Sequence, residues 1–281
     1  MAAAEPSIEI PTVRIDPPRG LIGFDLKPLW EYRQLVFFLT WRDLKVRYKQ
    51  TALGASWALL QPLLATVVFT IFFGRVAHLS SDGAPYMIFS FAGTLPWTYF
   101  SNAMTMGSNS LVSAATMITK VYFPRIALPI SSVLGCAFDF FCAAFLIIPM
   151  MAWFGISPSL RLLTLPFFFL LATATALGVS FLFAALNVRY RDVKYVMPFL
   201  TQIWLFATPV VYSASGLHQP WRALYGLNPM VGVINGFRWA IVGSGQAPGL
   251  TTVASVATTL VLLVIGAVYL RRVDQSMADV I

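Results

Sequence analysis

Between Lys49 and Arg75, Asp82 and Lys120, Arg161 and Arg189, and Lys194 and Arg222, this chain carries no charged side chain. A bilayer span takes about 20 mostly apolar residues. Within lipid only helices and closed barrels satisfy every backbone polar group. The apolar runs here are near-continuous rather than alternating, which points to helices. Charged residues make up 11% of the chain, against about 25% in soluble domains. The fold class that follows is an all-α membrane protein. Its expected parts are six transmembrane helices, an N-terminal interfacial helix, and re-entrant outer helices between spans five and six.

The expected spans cover residues 54–73, 86–106, 126–151, 162–186, 195–212 and 251–270. Residues 213–246 are half-polar and contain Arg222, Asn228, Pro229 and Arg238. An arginine at membrane depth costs at least about 2.5 kcal/mol, so this stretch is read as short outer helices rather than a seventh span. Charge placement agrees. With six spans and both termini inside, 15 of the 19 Lys and Arg residues fall on the cytoplasmic side. Only Arg75, Arg161, Arg222 and Arg238 lie outside, as the positive-inside rule asks. The net charge of +8 is therefore a topology signal and not a sign of nucleic-acid binding.

Residues 1–28 are polar and proline-rich, without the apolar core of a signal peptide, and read as a flexible cytoplasmic tail. Residues 29–50 are charged at both ends, with Arg42, Lys45 and Lys49 near one face. They read as a cytoplasmic interfacial helix, although 35–39 is apolar all round; a plain basic lead-in is the competing reading. Residues 51–270 form the membrane domain and 271–281 a cytoplasmic tail.

The chain lacks the chemistry of an enzyme. It contains no GxxxxGK[ST] phosphate loop, no HExxH and no metal-spaced Cys/His cluster. Cys136 and Cys142 sit six residues apart, on different faces of a helix, and cannot bridge. Asp139 is the one acid within a span. With no second acid, Lys or His in any span to relay a proton, it is expected to bond serine, threonine or tryptophan groups of neighbouring helices.

Three stretches carry a resemblance: "WRDLKVRYKQTALGASWALLQPLL" from Trp41, "SNSLVSAATMITKVYFPRIALP" from Ser108, and "ALNVRYRDVKYVMPFLTQIWLFATPVVY" from Ala185. "YGLNPMVGVINGFRWAIVG", from Tyr225, adds to it. In this order they resemble the membrane subunits of bacterial ABC exporters for lipid-linked polysaccharides, the family that exports O-antigens, capsules and teichoic acids. The resemblance implies a homodimeric channel in the bacterial cytoplasmic membrane with two separate ATPase subunits docked on its cytoplasmic face. ATP and magnesium are then used by the partner ATPase, and this chain binds no cofactor. The competing readings are the same architecture exporting a smaller glycolipid or drug, and an integral membrane transferase. The latter would need convergent acids, histidines or cysteines at one membrane face, and none occur.

Force from a separate ATPase must enter through cytoplasmic connectors. Two are candidates for ATPase coupling: Lys120, Tyr122, Phe123, Pro124 and Arg125, and Asn187, Arg189, Tyr190, Arg191 and Asp192. Aromatic and arginine side chains are the favoured anchors of protein interfaces. The competing reading is that both are ordinary positive-inside loops, but Tyr190 and Asp192 are not required by topology. For the substrate path the candidates are Gln61, beside Pro62 in the first span, Gln202 and Thr208, the latter beside Pro209, in the fifth, and Trp97 and Trp204. Aromatic rings stack on the apolar faces of sugars without reading sequence, much as they do on bases. Lipid-facing or core packing is the competing reading for either tryptophan.

Overall fold

The computed structural model describes residues 30–49, 54, 56–213, 225–244 and 247–274, and among them every regular element is helical. The expected tails at 1–28 and beyond 274, and the outer stretch 214–224, lie outside the described residues.

Helix α1, Arg33–Tyr48, precedes α2, Ser56–Phe69, which continues into a π-helical turn at Thr70–Val76. The long α3, Tyr86–Ser113, is followed by the single turn α4, Ala115–Ile118. α5, Ala127–Ala144, and α6, Ile147–Trp153, divide one apolar run. Pro149 explains the break, because its missing N–H leaves the carbonyl four residues back without a helical donor. A 3₁₀ turn at Leu160–Thr164 leads into α7, Leu165–Arg189. Then come α8, Val193–Phe206, α9, Pro229–Ile241, and α10, Leu250–Asp274.

Four helical stretches are long and apolar enough to cross a membrane: Ser56–Val76, Ala127–Trp153, Leu160–Arg189 and Leu250–Asp274. They make the chain a multi-pass membrane protein and correspond to the first, third, fourth and sixth expected spans. The other two differ from expectation. α3 is the central helix, buried without a break from Ile88 to Trp97. It extends to Ser113 rather than ending near Met106. Its polar end is helical because the side chains bond back to the ladder: Ser108 Oγ donates to the Met104 carbonyl at 2.6 Å and Asn109 Nδ2 to that of Thr105 at 2.9 Å. The fifth helix stops at Phe206 instead of running to Tyr212. Pro209 has no N–H and disfavours helical geometry at Thr208, and the chain turns there, with Val210 N donating to the Thr208 carbonyl at 2.7 Å.

α3, α7 and α10 pack side by side, with α5 and α9 completing the core. α7 and α10 touch through glycine. A Cβ on Gly178 would lie 2.8 Å from Leu263 N, and one on Gly266 would strike the Gly178 carbonyl. Such small-residue contacts let backbones approach where lipid supplies no hydrophobic drive for association.

α1 rises beside α5. Thr40 Oγ1 donates to the Ser131 carbonyl at 3.4 Å, and further along Arg47 pairs with Asp139. Seven residues of α1 climb about 10.5 Å and eight of α5 about 12 Å, so the two helices ascend together. Val36 and Leu39 face inward, whereas Phe37, Phe38 and Trp41 are exposed on the other side. That two-sided apolarity is why 35–39 reads as greasy all round.

Candidate functional site

The two candidate coupling connectors converge at one end of the bundle. Phe123 and Val188 share a buried cluster with Leu39 of α1, Leu111 of α3, Leu128 of α5, and Leu270 of α10. Asn187, buried at the end of α7, donates from Nδ2 to the Ser108 carbonyl at 3.1 Å and to Asn109 Oδ1 at 3.0 Å. The connector after α7 is thereby tied to the extension of α3. Arg125 closes the end of α10, donating to the Asp274 carbonyl at 2.6 Å and pairing with its carboxylate at 3.1 Å.

The ten candidate coupling residues therefore divide. Phe123, 5% exposed, and Asn187 anchor the connectors inside the subunit. Pro124 and Arg125 are half-buried. Lys120, Arg189, Arg191 and Asp192 are exposed, together with Tyr122 at 75% and Tyr190 at 54%. The Arg189 guanidinium stands 5.6 Å from the Tyr190 ring centre, and Lys194 Nζ lies 4.8 Å from that of Tyr195. The result is a firmly seated platform whose outward groups are tyrosines interleaved with charge.

The candidate path residues do not form one row. Gln61 on α2 and Gln202 on α8 are exposed. Trp97 is 6% exposed and packs against Phe100, ring centres 5.6 Å apart. Trp204 also meets Phe100, edge-on at 5.1 Å. In this subunit Trp97 is thus a core residue behind Trp204, not a side chain at the surface. Thr208 is buried: its Oγ1 donates to the Trp204 carbonyl at 2.8 Å and accepts from Asn228 Nδ2 at 2.8 Å. Asn228 Oδ1 accepts from Trp204 Nε1 and from the Met230 backbone N–H, both at 3.1 Å. One asparagine therefore caps α9 and ties it to α8. Its sequence signal was the Asn–Pro pair, an N-cap followed by proline at the first helical position.

Arg238 is buried, which sequence reasoning did not foresee: counted as an outer charge, it is only 3% exposed. Its Nη2 donates to the Val210 carbonyl at 2.6 Å, Nη1 to that of Tyr212 at 3.1 Å and Nε to that of Phe89 at 3.4 Å. The guanidinium also lies 3.7 Å from the Phe89 ring centre. Gly93 makes room for it, since a Cβ there would stand 3.0 Å from Nη2 and 2.7 Å from the Val210 carbonyl oxygen. Arg238 thus holds the turn after α8 against α3.

Asp139 is not isolated, nor does it bond the serine, threonine or tryptophan groups expected. It forms an ion pair with Arg47 and accepts from the Tyr48 hydroxyl. The partners are on α1, 92 and 91 residues away in sequence, a distance that no local pattern reveals.

A central helix packed among long apolar helices, with exposed tyrosines and charges at one end, is the form of a multi-pass membrane protein. Residues 34–242 match the ABC-2 type transporter family, and the chain belongs to it as a transport subunit rather than an ATPase. It is similar to the O-antigen export system permease protein RfbA of Myxococcus xanthus, with 30% identity over 240 residues covering 85% of this chain and 91% of that protein. RfbA of Klebsiella pneumoniae is 28% identical over 73% of this chain and 78% of its own length. The polysialic acid transport protein KpsM of Escherichia coli is 22% identical over 84% of this chain and 92% of its own.

Proposed function

We propose that this chain is the channel-forming subunit of an ATP-driven exporter that carries a lipid-linked polysaccharide across the bacterial cytoplasmic membrane. What carries the reading is the similarity, along 85% of the chain, to a permease whose name specifies O-antigen export. Two copies form the channel, and each docks one ATPase subunit, which binds ATP and magnesium. The chain crosses the bilayer six times, with N and C termini in the cytoplasm. The crossings are α2 with its π-helical turn, α3, α5 with α6, α7, α8 with the turn after it, and α10. α9, at 13 residues, re-enters from the outer face. α1 begins in the cytoplasmic headgroup layer and rises beside α5, with Phe37, Phe38 and Trp41 against lipid.

Coupling runs through the connector after α7. Tyr190 and Arg191 seat in the ATPase, and its closure moves α8, which starts immediately beyond at Val193. α2 and α8 present Gln61 and Gln202 to the cargo, with Trp204 behind them. Deletion of the gene tests the function: polymer should accumulate inside the cell and disappear from the surface. Normal surface polymer alongside loss of a small glycolipid would replace the polysaccharide with the smaller cargo.

A further inference from the structure

Between α1, α2, α3 and α5 lies a cavity of about 400 Å³, within the roughly 300–1,000 Å³ of small-molecule sites. Its lining includes Gln61 and the Arg47–Asp139 pair. Its wall contains Gln61 from α2 and Thr98 and Asn102 from α3. Among the described residues the side chains of these three have no hydrogen-bond partner. Gln61 is exposed and Thr98 and Asn102 are partly buried, so the three polar groups remain open to a ligand, and polar groups facing a cavity between apolar spans are not what lipid contact selects.

The chemistry of the wall narrows the ligand. Its two charges, Arg47 and Asp139, already neutralise one another, so no free cation awaits a phosphate. The unpaired groups are neutral. Each amide offers N–H donors and a carbonyl acceptor, and the hydroxyl can do either. Hydroxyl-rich ligands match that set, because each hydroxyl also both donates and accepts. Trp57, half-exposed, adds an aromatic face on which the C–H side of a sugar ring can lie. An acyl chain would leave all three polar groups unpaired.

We propose that this cavity is a subsite for a neutral polyhydroxylated headgroup, one or two sugar units of the transported glycolipid. The choice of cargo rests on the export reading; the polyol chemistry rests on the cavity alone. The same chemistry could come from the glycerol headgroup of a resident phosphatidylglycerol, and the test separates the two.

The complex with its ATPase, in nanodiscs, is photolabelled with octyl β-glucoside carrying a diazirine on its alkyl chain, and the labelled peptides are mapped. The expected label falls on residues 95–106 or 136–143. Unlabelled octyl glucoside should compete with it, and octyl phosphocholine should not. Asn102→Leu and the isosteric Thr98→Val should each reduce it about tenfold, the equivalent of one lost hydrogen bond. Two variants are used so that misfolding of one does not decide the matter. Equal labelling by a phosphocholine probe, or labelling indifferent to both variants, overturns the subsite. Competition by purified lipid-linked glycan supports the cargo assignment, and competition by phosphatidylglycerol alone overturns it. Persistence of glucoside labelling in a protein whose deletion leaves surface polymer normal would remove the export reading and leave the polyol site standing.

Discussion

Replacing Arg238 by alanine should release the turn after α8 from α3 and destabilise the subunit. Three carbonyls share its guanidinium, and two of them, on Val210 and Tyr212, belong to the turn after α8 rather than to a helical ladder. Left in a buried site without a donor, each costs about 1–3 kcal/mol. The variant also loses the contact with the Phe89 ring, 3.7 Å away, for which a desolvated cation–π pair is worth about 2 kcal/mol. Removing the cost of burying a guanidinium offsets part of this. The net loss should be about 3–5 kcal/mol, the range for removing one partner from a buried charged arrangement. For a chain of this size that lowers the melting temperature by about 6–20 °C. Lysine should restore little, because its ammonium cannot span three carbonyls or lie flat on a ring. The assay is thermal unfolding of the purified complex, with export measured in cells at permissive temperature. A melting temperature unchanged in Arg238→Ala would refute the claim that this side chain pins the outer turn.

Two further substitutions probe contacts that the sequence did not expose. Arg47→Met and Asp139→Asn should each destabilise the subunit, and the double variant should cost less than the two single losses summed; strict additivity in a double-mutant cycle would mean that the pair is not coupled. Gly266→Leu should separate α7 from α10 and prevent accumulation of folded subunit, because its Cβ would strike the Gly178 carbonyl; normal levels of monodisperse protein would show that these backbones do not need to touch.

What could be read from the residues was what lipid dictates locally. Charge-free runs located α2, α5 with α6, α7 and α10 to within a few residues, since those helices present long apolar faces. α3 was only partly legible. Its outer half is apolar, but Ser108 to Ser113 resembles a loop until its hydroxyls are seen bonding back to carbonyls three and four residues earlier. The end of α8 at Phe206 was written in Thr208–Pro209, yet the apolar run beyond it masked the stop. Both connectors were singled out from the sequence as candidates. That Phe123 and Asn187 point inward, while Tyr122 and Tyr190 point out, depends on packing against Leu39 and Ser108 from distant segments. The burial of Arg238 and the partners of Asp139 were not legible for one reason. The partners that make these charges tolerable lie between 26 and 149 residues away for Arg238, and 91 or 92 for Asp139, beyond the reach of any periodicity.

The central claim is that this subunit, driven by a separate ATPase, moves a lipid-linked polymer. The most direct measurement reconstitutes the chain with its ATPase partner in proteoliposomes loaded with lipid-linked glycan on the ATPase side, and scores glycan protected from a glycosidase added to that side. The account predicts protection that requires hydrolysable ATP, disappears without the ATPase, and is lost in Tyr190→Ala and Arg191→Glu while the membrane subunit still assembles. Protection that develops without ATP, or movement of short glycolipids with long polymer left behind, would contradict it.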